Sequence, residues 1–114
     1  MDRQAHGAAA GGQLAARVRA ALAAVGDVRE VAMFGGVAFM VDGRLAVSAG
    51  VDGDLLVRVD PADRDDLLRR GAGPAVMRTG RRMGRAWLTV PADGVRDDAD
   101  LAFWVGVGRG SSGD

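Results

Sequence analysis

The stretch Met33 to Val59, MFGGVAFMVDGRLAVSAGVDGDLLVRV, decides how this chain folds. Its apolar runs Val37 to Val41 and Arg44 to Ala49 are separated only by Asp42-Gly43, and a second Asp-Gly, Asp52-Gly53, leads into Leu55 to Val59. Asp-Gly between two apolar runs marks a hairpin, because a type I′ turn needs positive φ at both central residues. Three successive antiparallel strands are predicted, with Val31, Met33 and Phe34 leading into the first through Gly35-Gly36.

On the N-terminal side, Leu14, Val18, Leu22 and Val25 are spaced by four, four and three, which puts them on one stripe of a helix ending near Gly26. The preceding residues 1–12 are small, polar and rich in glycine, and are expected to form a disordered tail. On the C-terminal side, Asp60-Pro61 reads as an N-cap followed by proline at the first helical position. Arg69 and Arg70 then fall in the last turn of a short helix that Gly71 stops. Two further strands are expected at 75–79 and 85–90, around the loop Gly80-Arg81-Arg82-Met83-Gly84. Asp97 or Asp98 caps a final helix in which Leu101, Trp104 and Val105 share a face and the glycines at 106, 108 and 110 fray the end.

The expected fold is therefore a two-layer α+β domain over residues 13–109, in the order α-βββ-α-ββ-α. Its antiparallel sheet has about five strands, and residues 110–114 form a second disordered tail. The 114 residues, 48% of them apolar, suit one modest core. No stretch reaches the roughly 18 apolar residues of a membrane span, and the first residues lack the apolar centre of a secretory signal, so a cytoplasmic location is expected. Fifteen basic residues balance 15 acidic ones, which removes any long-range attraction to nucleic acid or anionic membrane and leaves only local contacts.

Candidate chemistry is sparse. With no cysteine, thiol redox chemistry, thiolate catalysis and sulfur-ligated zinc are excluded. The single histidine, His6, lies in the expected tail. Carboxylates at 63, 65 and 66, and at 97, 98 and 100, sit where helix starts favour negative charge, so capping rather than acid–base work is expected of them. Gly35-Gly36 lacks the lysine of a P-loop and the third glycine of a dinucleotide fingerprint, and a structural role at the strand entry is the better reading. No catalytic residue, metal site or cofactor is predicted, and the protein is not expected to be an enzyme.

Two binding features remain. If Asp42-Gly43 is a strict two-residue turn, Phe39 pairs with Ala46 and Val37 with Ser48. Helices on one face of the sheet would then leave Val37, Phe39 and Val41 as an apolar patch on the other, fit for a partner or a homodimer. A bulge that shifts the register, or a terminal helix laid over the second face, would remove that patch. The second feature is Arg78, Arg81, Arg82 and Arg85, four guanidiniums in eight residues beside Trp87. They could grip phosphate or carboxylate bidentately, or serve as a solvated loop paired with aspartates.

The order Met33-Phe34-Gly35-Gly36, then Phe39-Met40-Val41-Asp42-Gly43-Arg44, Leu55 to Val59, the Arg81-Arg82-Met83-Gly84 loop and a Trp-bearing strand resembles the N-terminal domain of the TfoX/Sxy family of competence regulators, from about Leu14 to Gly108. The resemblance implies a two-layer α+β fold in the element order already read, and a non-enzymatic role, since full-length members act as coactivators of competence genes with a cyclic-AMP receptor protein. The expected reading is a stand-alone copy of that domain. It would serve as a regulatory, protein-binding module with transcription machinery as its partner. The alternative is a small anionic-ligand or nucleic-acid binding domain using the loop from Arg78 to Arg85.

Overall fold

The computed structural model describes residues 6–110 except 34, 77–79 and 82. Six strands form one antiparallel sheet: β1 Val28–Met33, β2 Gly36–Val41, β3 Arg44–Ala49, β4 Leu55–Arg58, β5 Gly73–Pro74 and β6 Trp87–Val90, in the spatial order β1-β2-β3-β4-β6-β5. Three helices accompany it: α1 His6–Ala21, α2 Arg64–Arg69 and α3 Asp98–Gly110, with single 3-10 turns at Pro61–Asp63 and Ala92–Val95. The α+β class and the antiparallel sheet agree with the expectation, and the sheet gains a strand. Val28–Met33 pairs along its whole length with β2, Val28 facing Val41 and Met33 facing Gly36, so four strands rather than three precede α2.

The turns act as their chemistry predicts. Asp42 at φ 53° and Gly43 at φ 82° both take positive φ in the β2–β3 hairpin, the condition that selects Asp-Gly there. In the Gly35-Gly36 pair the two residues have different work. Gly35 turns the chain at φ 79°, whereas a Cβ at Gly36 would lie 2.0 Å from the Ala49 carbonyl oxygen. The close approach is thus to strand β3. Asp60 accepts a hydrogen bond from the Ala62 amide at 3.1 Å, with Pro61 beginning the turn into α2.

Three segments depart from the expected boundaries. Residues 6–12, expected in the tail, belong to α1, while residues 1–5 and 111–114 lie outside the described residues. The final hairpin is much shorter than 75–79 and 85–90. Pro74 has no amide hydrogen to donate, so the edge strand β5 is limited to two residues, and 77–79 fall outside the described residues. Helix α3 continues through its glycines to Gly110 instead of fraying, with Gly108 buried in it.

The register of β2 against β3 contradicts the strict hairpin. Met40 faces Leu45, but Phe39 then faces Val47 and Val37 faces Ala49, leaving Ala46 as a bulged extra residue. That one-residue insertion flips the rest of β3, and Val47 joins Phe39 on the same face. The face then continues through Leu55 and Val57 of β4 and Leu88 and Val90 of β6. Bulky apolar side chains are gathered on it, and the helices cover that side: Val18 of α1 and Trp104 of α3 enter one cluster with Phe39, Val47 and Val57. A Cβ on Gly108 would stand 2.5 Å from the Ala46 carbonyl oxygen and 2.7 Å from Val47 Cγ1, so α3 rests directly on the bulge.

The expected partner surface is corrected accordingly. Phe39 is 0% and Val41 8% exposed, and Val37 is packed against the same cluster. These three residues form core beneath the helices rather than a free patch.

Candidate functional site: the uncovered sheet face and the arginine cavity

The face of the sheet turned away from the helices is built from the alternate residues of each strand. One row runs Val31, Ala38, Ser48, Leu56 and Thr89 across β1, β2, β3, β4 and β6. Beside it, Arg29 faces Met40, Met40 faces Leu45, and Arg58 faces Trp87. Ala38 and Ser48 are small and buried at 0% and 5% exposure, while Val31 is exposed at 38%. Met40, Leu45, Leu56 and Trp87 are half-buried. The centre is therefore a shallow apolar trough between larger side chains. The Arg58 guanidinium lies over the Trp87 ring, 5.2 Å from its centroid, a geometry in which cation and ring attract. The charged members of this face are Arg29 and Arg58. No aspartate or glutamate alternates onto it from any of the six strands.

The edge strand β1 is largely exposed and carries Arg29 and Glu30. Glu30 points to the helix side, where Arg19 of α1 grips both its carboxylate oxygens at 2.6 and 2.7 Å. That hydrogen-bonded cation holds the Glu30 carboxyl below the usual carboxylate range and raises the Arg19 guanidinium. Charges on an edge strand hinder further strand addition.

Of the four expected anion-binding arginines, Arg78 and Arg82 lie outside the described residues, and Arg81 is exposed. Arg85 is brought instead to an arginine from another element. Arg64 of α2 donates from Nη1 to the Arg85 carbonyl at 3.0 Å and to the Trp87 carbonyl at 3.4 Å. Arg64 and Arg85, with Pro74, Ala75 and Gly84, line a cavity of about 250 Å³. A larger cleft of about 400 Å³ between α2 and α3 is lined by Asp60, Asp63, Asp66, Arg70 and Phe103 among others. There Arg70 stacks over Phe103 at 3.9 Å. Its carboxylates have local work: Asp60 caps the turn and Asp66 pairs with Arg69. Among the described residues no three His, Cys, Asp or Glu side chains gather as a metal site, and no helix is long and apolar enough to cross a membrane.

Sequence reasoning missed both Arg64 and the composition of the uncovered face. The available signal was β4, where Leu55, Val57 and Val59 alternate with Leu56, Arg58 and Asp60. That alternation gives the core side of β4 to its odd-numbered positions, Leu55 and Val57, and the other side to Leu56 and Arg58. For Arg64 there was no comparable signal.

A six-stranded antiparallel sheet with helices on one side and an apolar, basic surface on the other defines a small α+β domain. The family model described as the TfoX N-terminal domain matches residues 20–108, and the chain belongs to that family. No curated protein and no solved structure matches the chain.

Proposed function

We propose that this protein is a non-enzymatic regulatory module that binds a partner protein through the uncovered face of its sheet. The observation that carries the reading is the composition of that face: Val31, Met40, Leu45, Leu56 and Trp87 beside Arg29 and Arg58, with no carboxylate. A contiguous apolar surface on a small domain marks an interaction site, and tryptophan and arginine are the residues that most often dominate such interfaces. Charge selects the kind of partner. A second copy would bring Arg29 against an identical face to which the strands contribute no carboxylate, a costly arrangement once desolvated. An apolar segment flanked by carboxylates satisfies the face, so a heterologous acidic partner is favoured over the homodimer expected from sequence. Family membership supports placing that partner among transcription regulators of the competence type.

The test is co-purification from lysate of the host, with and without nuclease, comparing wild type with Leu56→Asp and Arg81→Ala. A partner with an acidic, apolar segment should survive nuclease, be lost with Leu56→Asp and be kept with Arg81→Ala. Retention by Leu56→Asp would reject the face. A stable dimer in light scattering at micromolar concentration, dissolved by Leu56→Asp, would assign the face to a second copy and reject the heterologous partner.

A further inference from the structure

We infer that the cavity lined by Arg64 of α2 and by Pro74, Ala75, Gly84 and Arg85 is a binding site for a small phosphate-bearing ligand, held by Arg64 and Arg85. No side chain of the uncovered sheet face lines the site, so it stands or falls independently of the protein partner.

The argument begins with Arg64. Its Nη1 is held by the carbonyls of Arg85 and Trp87, at 3.0 and 3.4 Å. These bonds fix the guanidinium plane and tie α2 to the strand leading into the sheet. They leave Nε and Nη2 as donors, the two that form one edge of the guanidinium fork. A fork already fixed by other bonds loses little entropy on gripping an oxyanion, the advantage arginine holds over lysine.

The second guanidinium, Arg85, is exposed at the same cavity, and among the described residues no carboxylate pairs with it. Among the described residues Pro74, Ala75 and Gly84 complete the lining, and these are small and uncharged. Two cations facing one cavity without an acid repel each other until an anion enters, and a dianion matches their charge. Phosphate monoesters carry close to two negative charges at neutral pH. The cavity, at about 250 Å³, lies just below the usual range for ligand pockets, which begins at about 300 Å³. That size suits a phosphoryl group with a few further atoms rather than a nucleotide or a polymer. Because the whole chain carries no net charge, attraction is confined to this site instead of spreading over the surface.

The experiment is a titration of the full chain, followed by amide ¹H–¹⁵N spectra, with inorganic phosphate and with glycerol phosphate at constant ionic strength. Shifts should saturate at the amides of Ala75, Gly84 and Arg85 with a dissociation constant of about 1 mM or tighter. A tighter constant for the ester would identify an esterified ligand, and equal constants would identify the free ion. Arg85→Gln, at an exposed position, should weaken binding about tenfold through loss of charge-assisted hydrogen bonds, and Arg64→Lys should weaken it by a similar factor. Arg81→Ala, outside the cavity lining, should bind as wild type. Shifts that rise linearly without saturating, unaltered binding by Arg85→Gln, or equal weakening by Arg81→Ala would each overturn the site. So would a short DNA duplex that displaces phosphate from these amides, because the ligand would then be a strand backbone.

Discussion

Adjacent residues of one strand, Phe39 and Met40, belong to two different environments. Phe39 points into the helix-covered side and has no exposed surface, whereas Met40 points to the uncovered side and is half-buried. The same alternation divides β4 into Leu55 and Val57 against Leu56 and Arg58. One side of the sheet therefore carries the core, and the other stays half-buried without helices over it. The boundary between them is set by a single bulged residue, Ala46. The difference teaches that an apolar strand residue says little about function until its register is known, because a shift of one position exchanges core for surface.

The largest effect should come from treating the two sides alike. Phe39→Ala removes a fully buried ring and should cost about 3–5 kcal/mol. Met40→Ala, one residue away, should cost about 1 kcal/mol or less. Denaturant unfolding of both variants measures the contrast, and similar losses would show that both faces are core. Next in size is the contact that seats α3 on the bulge. Gly108→Ala forces a methyl against the Ala46 carbonyl and Val47 and should destabilise by about 1–3 kcal/mol. Gly106→Ala, on the exposed side of the same helix with nothing within 4 Å of its new Cβ, should stabilise by about 0.5–1 kcal/mol through helix propensity. Opposite shifts in thermal midpoint would sharpen the picture of a helix fitted on one side only.

The smallest effect lies at the edge strand. Arg19 lowers the folded-state pKa of Glu30, so the contribution of this pair is present at neutral pH, above the unfolded pKa. It fades as pH falls through the depressed folded value. Glu30→Gln should be slightly less stable than wild type at pH 7, and the gap should close in acid below the ordinary glutamate pKa of about 4.3. Added salt should also narrow it, since both side chains are partly exposed. A gap that widens in acid would contradict the direction of the shift.

Turn and cap chemistry made much of this fold legible. Asp42-Gly43, Asp60-Pro61 and the stripe of Leu101, Trp104 and Val105 each place an element through local conformational rules, and each is found where those rules put it. The bulge was not legible, because Ala46 carries no side-chain signature and the residues on either side of it are apolar in both registers. The short edge strand β5 and the meeting of Arg64 with Arg85 were hidden for a related reason. Both depend on tertiary packing rather than on local signals, and the two arginines lie 21 positions apart along the chain. Phe39 was misassigned by the same mechanism: its type was read correctly as apolar, while its direction depended on a register that only the packed sheet defines.

The most direct test of the central claim is photo-crosslinking in the host with a benzophenone amino acid placed in turn at Leu56, on the uncovered face, and at Ala102, on the exposed side of α3. The account predicts a discrete covalent adduct with a different protein from position 56 and none from position 102. Adducts formed only from position 102, or an adduct from position 56 containing two copies of this chain, would contradict it.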